Sequence, residues 1–250
     1  MTNLKFYIVS YNKLYKRVVE NLTDDHNKFL TAYFVNKSFE KDVTLEIDSI
    51  NEWDLPWNDY SYQQKQFYEY SCIVHLTKNN DIIKDQTHVG LLHYDTKFGR
   101  DSIEKIIDSL KGNSNQIFYQ CLRGPNDLYF NRDEYFGICE FMSQKLNMVI
   151  DPIKVINVGW ISEAMSVVPK DVFIKFGNFL FENNVEIQNI LLQNRWGIMN
   201  QINHRICGIV ERMWGLYLVN CGLELVQMDV EHDWNFYNHD HLSQKNWINT

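Results

Sequence analysis

The sequence predicts an α/β fold, a mostly parallel central sheet flanked by helices, and three observations carry that prediction. Short strand-like runs alternate with amphipathic stretches at helical spacing along the chain, the pattern of successive βα units. The run HVGLLH at 88–93 is apolar without alternation, as expected of a strand buried on both faces of a parallel sheet. The 250 residues are 45% hydrophobic and contain no internal repeat, low-complexity tract or Pro/Gly linker, so one domain is the simplest organisation.

The elements follow in order. Residues 4–9 (LKFYIV) read as a first strand entering a turn at Ser10-Tyr11-Asn12, and 29–35 (FLTAYFV) as a second. A polar, aromatic loop with Trp53, Pro56 and Trp57 precedes a helix over 62–77, where Phe67, Tyr70, Ser71 and Val74 share a face. The strand 88–93 ends in Tyr94-Asp95-Thr96-Lys97-Phe98-Gly99. Asp101 or Ser102 caps a helix to residue 110, with Gly112 just beyond its end. Segments 117–121 and 160–168 are further strands, and Pro169-Lys170-Asp171 opens another helix. A long amphipathic region covers 185–219 with Gly222 as its stop, and 223–230 closes as a late strand.

Charge and composition exclude several functions. With 24 basic against 32 acidic side chains and a net charge of -8, the balance argues against the basic face that phosphate-backbone binders use, so no nucleic-acid partner is expected, while a local basic pocket for one small phosphorylated ligand stays open. No apolar run approaches the roughly 18 to 20 residues of a transmembrane segment. The opening MTNLKFYIVS is too short and too polar for a signal peptide. The five cysteines are scattered, without a CxxC pair, which points to reduced thiols and a cytoplasmic location. The 7 Trp, 14 Tyr and 15 Phe are mostly core, with room for a sugar platform among them.

The sharpest local feature is His93-Tyr94-Asp95 at the end of the buried strand. Ligands of open α/β sheets bind beyond the carboxyl ends of the strands. A carboxylate there can hold a hard divalent cation, and the cation can neutralise a pyrophosphate. In an extended segment His93 and Asp95 point the same way, and an imidazole with a carboxylate suits Mn²⁺. The structural alternative is a turn-capping Asp beside a hydrogen-bonded core His.

Several stretches together resemble exopolysaccharide and capsule-type glycosyltransferases, which carry a helical E-[FY]-[ST] element, a K-N ending, and a strand reading G-x-x-H-Y-R-R-Y-F. The matching residues are Glu69-Tyr70-Ser71, Lys78-Asn79 and Gly90-Leu91-Leu92-His93-Tyr94-Asp95-Thr96-Lys97-Phe98. The Asp after His-Tyr is similar to the N-terminal domain of a chlorovirus glycosyltransferase. FYIVSYNK at the start and HRICGIVERMWGLYL near the end agree with the same group, so the resemblance spans residues 4–230. It implies a GT-A-like glycosyltransferase domain over 1–230, followed by a C-terminal tail over 231–250. It also implies transfer of a sugar from a UDP- or GDP-linked donor to a glycan or other hydroxyl acceptor. Where the bacterial-type motif has Arg-Arg, this chain has Asp95 and Thr96, so a bound Mn²⁺ or Mg²⁺ would have to supply the positive charge.

The residues take roles within that expectation. Asp95 and His93 are the metal ligands, with His232 as a third; His239-Asp240-His241 reads as a solvated tail. Ser10, Tyr11, Asn12 and Tyr94 are donor contacts. Glu69 either accepts from the ribose or base or is a surface acid. Arg205 and Arg212 lie seven apart on one helix and serve either the diphosphate or a salt bridge with Glu211. Glu163 is the first choice and Asp151 the second for the general base of an inverting reaction, and Trp160 is the candidate acceptor platform. The competing class is a catalytically silent relative that binds a glycan or a protein partner. A nucleotidyltransferase ranks below both, because no Gly-rich N-terminal signature is present.

Overall fold

In the computed structural model of the chain, residues 3–11, 13–14, 16–36, 40–41, 46–65, 67–128, 130–163, 165–193 and 206–232 are described. The strands are β1 (Leu4–Ser10), β2 (Lys13–Leu14), β3 (Leu30–Phe34), β4 (Glu40–Lys41), β5 (Asp48–Asn51), β6 (His88–His93) and β7 (Thr96–Phe98). They continue with β8 (Gln116–Tyr119), β9 (Leu122–Arg123), β10 (Trp160–Ile161), β11 (Ser166–Pro169), β12 (Glu224–Gln227) and β13 (Val230–His232). The helices are α1 (Ser61–Gln64), α2 (Ser71–Lys78), α3 (Ser102–Gly112), α4 (Arg132–Leu146), α5 (Pro152–Val158), α6 (Lys170–Gln193) and α7 (Ile206–Asn220).

The central sheet runs β12-β8-β11-β6-β1-β3-β5. It is parallel except for β11, which lies antiparallel between β6 and β8. Both faces are covered, which is why β1 and β6 carry near-continuous apolar runs. Tyr7, Val9, Val89 and Leu91 face one core with α2, α4, α6 and α7. Phe6, Ile8 and Leu92 face a second core with Ile103, Ile106 and Leu110 of α3. Gly90 is required on that second face, since a Cβ there would lie 2.4 Å from a carbon of the Phe6 ring. No helix among the described residues is long and apolar enough to cross a membrane.

Several boundaries differ from the sequence reading. The helix expected over 62–77 is broken: Tyr68 has φ 47°, and a 3₁₀ turn, Tyr68–Tyr70, precedes α2. The strand expected over 160–168 is two strands, because Glu163 at φ 66° turns the chain between β10 and β11. The late strand also divides, β12 pairing with β8 and β13 with β7. Asp101 sits at φ 60° and does not cap α3; Ser102 bonds the carbonyls of Gly99 and Asp229 instead. Gly112 is the last residue of α3 rather than a residue beyond it. Helices α4 and α5 and strand β5 were not expected.

Candidate active site

The register brings several chain ends to one rim. Val9 pairs with His93 at the close of β1 and β6, and the Tyr94 N–H donates to the Val9 carbonyl at 3.1 Å. Val35 and Asn36 continue the ladder by donating to the Ser10 and Tyr11 carbonyls. Strand β11 runs the other way, so it begins at this same rim. Ser166 lies opposite Leu91 and Tyr119, and the Gln120 N–H bonds the Met165 carbonyl. Ser10, Tyr11, His93, Tyr94, Asp95 and the Glu163 loop therefore share the carboxyl edge of the sheet.

The Tyr11 hydroxyl donates to Glu69 Oε2 at 2.6 Å, and the Tyr94 ring meets Tyr11 edge-on at 5.7 Å. Burial first, and the Glu69 charge second, hold the Tyr11 phenol well above its ordinary range, so it stays a neutral donor. Ser10 is buried, and its hydroxyl has no hydrogen-bond partner among the described residues. Ser71, the last residue of the Glu69-Tyr70-Ser71 element, turns inward and donates to Glu52 Oε2 at 2.6 Å. That element therefore presents one residue to the rim side chains and another to the core.

At Tyr94-Asp95 the chain turns instead of continuing extended, with the Thr96 hydroxyl donating to the His93 carbonyl at 2.5 Å. The alternation expected to align His93 with Asp95 ends at His93. His93 Nε2 is buried with no hydrogen-bond partner among the described residues. Asp95 is only 6% exposed. The antiparallel β13–β7 ladder sets His232 opposite Thr96, one residue from Asp95 along the chain. The orphaned His93 imidazole nitrogen and the buried Asp95 carboxylate suit Mn²⁺, which accepts both ligand types, better than Mg²⁺, which favours oxygen ligands. Among the described side chains no three potential ligands are gathered.

Glu163 is held from two sides. Its N–H donates to Glu211 Oε1 at 2.8 Å, and its carboxylate is ion-paired with Arg123 Nη2. Arg123 Nε also donates to Ser162 Oγ at 3.1 Å, and the Cys121 thiol lies 2.9 Å from the same hydroxyl. Burial, the largest single influence, disfavours the charged guanidinium, but Glu163 and the Cys121 thiol together outweigh it and hold Arg123 above its ordinary pKa.

Three expected site residues are corrected. Trp160 is 1% exposed, donates from Nε1 to the Gly124 carbonyl at 3.2 Å, and packs under Arg212. An enclosed ring offers no face to a sugar. Arg212 is buried too; its guanidinium bonds the Leu128 and Gly208 carbonyls and Glu211, so the salt-bridge alternative is the one realised. Asp151 caps α5, accepting from the Ile153 N–H at 2.8 Å. Its own N–H bonds Asn220 at the end of α7, where the chain approaches the start of β12 and β8, the rim opposite Glu163. Asn12 and Arg205 lie outside the described residues, as does the His239-Asp240-His241 cluster. Arg123 and Ser162 went unassigned in the sequence; the one available signal was an arginine just past a strand, ahead of Gly124-Pro125.

No protein-family model matches the chain, and neither does any curated protein. Solved structures do. WbbM, a bifunctional glycosyltransferase in its apo form, is similar over 92% of this chain at a TM-score of 0.57 and 13% identity. The fold is glycosyltransferase-like. This chain spans 45% of the WbbM chain. Core-mannan synthase A of Aspergillus fumigatus in its Mn/GDP form matches over 93% of this chain and 75% of its own, at 11% identity and a TM-score of 0.41. Mouse xyloside xylosyltransferase 1 matches over 87% and 84%, at 10% identity and a TM-score of 0.41.

Proposed function

We propose that this chain is a metal-dependent glycosyltransferase that moves a sugar from a UDP- or GDP-linked donor to a glycan or other hydroxyl acceptor with inversion. The observation that supports it most is the convergence of Ser10, Tyr11, His93, Asp95 and Glu163 on one rim of a glycosyltransferase-like sheet. Ser10 and Tyr11 contact the nucleotide; the buried Ser10 hydroxyl has bonding capacity to give it. Tyr94 steadies Tyr11, and Glu69 fixes the direction of the Tyr11 hydroxyl. Asp95, His93 and His232 would hold Mn²⁺ or Mg²⁺, which when bound supplies positive charge beside the diphosphate. Arg205 is a second cation for the same group.

In the transfer step the acceptor oxygen forms a bond to the anomeric carbon while the bond from that carbon to the diphosphate oxygen breaks. The bonding pair leaves with the diphosphate, and the acceptor proton passes to the Glu163 carboxylate.

Calorimetric titration of UDP- and GDP-sugars with and without Mn²⁺, alongside donor hydrolysis, tests the reading. Binding that needs Mn²⁺ and disappears in Asp95→Asn supports it, as does loss of 10²-fold or more of the transfer rate in Glu163→Gln. Absence of binding by any nucleotide sugar, with an unshifted melting temperature, overturns it in favour of a silent glycan- or protein-binding module.

A further inference from the structure

We propose that Arg123 is a positioning residue that holds the Glu163 carboxylate in place to receive the acceptor's proton. This rests on the assignment of Glu163 as the base. The geometry is a two-point grip. One guanidinium carries an ion pair to the Glu163 carboxylate and a hydrogen bond to Ser162 Oγ, so it seizes consecutive residues of the loop between β10 and β11. Glu163 sits at φ 66°, a backbone region that a non-glycine residue keeps only when its surroundings enforce it.

The grip is anchored on a rigid base. Arg123 lies in the β9–β10 ladder opposite Trp160. At Gly159, with φ 93°, a Cβ would come within 2.7 Å of the Arg123 carbonyl. The chain thus closes tightly on the backbone of Arg123. In the loop between β10 and β11 the Ser162 N–H donates to the Cys121 carbonyl and the Met165 carbonyl accepts from the Gln120 N–H, and the Arg123 side chain adds a tie to Ser162 and Glu163 between those two points.

The charges around Glu163 say what that tie does. From α7 come Glu211, whose carboxylate accepts the Glu163 N–H, and Arg212, which bonds Glu211 and two carbonyls. Tyr70 feels the Glu211 charge, and the Cys121 thiol reaches Ser162. Glu211 is a like charge on the backbone side of Glu163, and Arg123 is the opposite charge that draws the carboxylate into the grip. Removing an opposite charge at ion-pair distance raises a carboxyl pKa by about one unit or more. A guanidinium can engage two consecutive residues through its planar fork, whereas a lysine supplies the charge without that geometry.

The experiment combines pH profiles of kcat/KM for wild type, Arg123→Gln and Arg123→Lys with ¹³C-NMR titration of glutamate carboxyls. The Glu163 resonance is assigned by its absence in Glu163→Gln. In Arg123→Gln the acidic limb of the profile and the Glu163 titration both move up by about one pH unit, while the donor Kd stays within about twofold of wild type. In Arg123→Lys both stay near their wild-type pH, and kcat falls about tenfold.

An unmoved Glu163 titration in folded Arg123→Gln overturns the inference; so does a loss of rate that is equal at every pH. If Arg123→Gln fails to fold, Arg123→Lys decides by kcat, where an unchanged rate rejects the grip. A titration that moves while Glu163→Gln still transfers sugar removes the base assignment but leaves the Arg123–Glu163 coupling standing.

Discussion

Glu52 offers a stability experiment whose sign and size come from the structure. Its carboxylate is 1% exposed and accepts from Ser71 at 2.6 Å, Gln63 at 3.1 Å and Tyr33 at 3.4 Å. His75 Nδ1 lies 3.3 Å away. That ring is neutral: Nε2 accepts the Asp59 N–H, which leaves Nδ1 to donate to the Ser71 carbonyl, and burial pushes its pKa down to about 4. It therefore brings no cation to the carboxylate. Burial outweighs the three hydrogen bonds and raises the Glu52 carboxyl from 4.5 to about 7.

A raised folded-state pKa contributes stability that is fully present below the unfolded value and is lost as pH rises through the folded one. Between pH 5 and 8 that loss is about 2 to 3 kcal/mol. Glu52→Gln keeps the shape and removes the titration, while His75 contributes nearly the same slope to both proteins. Urea midpoints followed by circular dichroism should show Glu52→Gln gaining about 2 to 3 kcal/mol relative to wild type from pH 5 to pH 8. A gap constant to within about 0.5 kcal/mol would refute the argument that desolvation controls this group.

Other predictions concern residues the structure reassigns. Trp160→Ala should cost about 3 to 5 kcal/mol in urea unfolding; a small stability change with a raised acceptor KM would return Trp160 to the acceptor site. Gly215→Ala would place a Cβ 2.0 Å from the Ile161 carbonyl oxygen, and thermal melts should register a loss of about 1 to 3 kcal/mol as α7 is pushed from β10. Asp151→Ala should lose about 1 kcal/mol of helix capping and leave the transfer rate unchanged, whereas a large fall in kcat would mean the residue reaches substrate.

The sheet was legible where burial is two-sided. HVGLLH gave the limits of β6, and the alternate placement of Tyr7 and Val9 against Phe6 and Ile8 follows from the same continuous apolar pattern. The carboxyl-rim position of Ser10, Tyr11 and Asp95 followed from that strand end. The breaks were not legible. Tyr68, Asp101 and Glu163 all take positive φ, and none is the glycine that would announce a turn. Helix α4 carries its buried Tyr135, Ile138, Cys139, Met142 and Leu146 at helical spacing behind an Asn131–Glu134 capping box, but Phe136 and Phe141 outside that buried set blur the stripe. Trp160 and Arg212 were read as site residues because chemistry-bearing side chains look alike in sequence whether they face a ligand or one another. Asp151 followed the same logic, although Asp before Pro152 is also a helix-start signature.

The inverted strand in the middle of the sheet has a consequence for synthesis. Strand β6 is complete once residue 93 has been made, but its neighbour on one side, β11, begins at Ser166. Until then β1, β3, β5 and β6 can assemble with an apolar edge at Val89-Gly90-Leu91 still unpaired. An uncovered edge of that composition invites pairing with another nascent chain. Closing it requires a contact across more than seventy residues of sequence, the slow kind of contact in folding. The yield of this protein should therefore depend more on chaperone capacity and growth temperature than its packed native core would suggest.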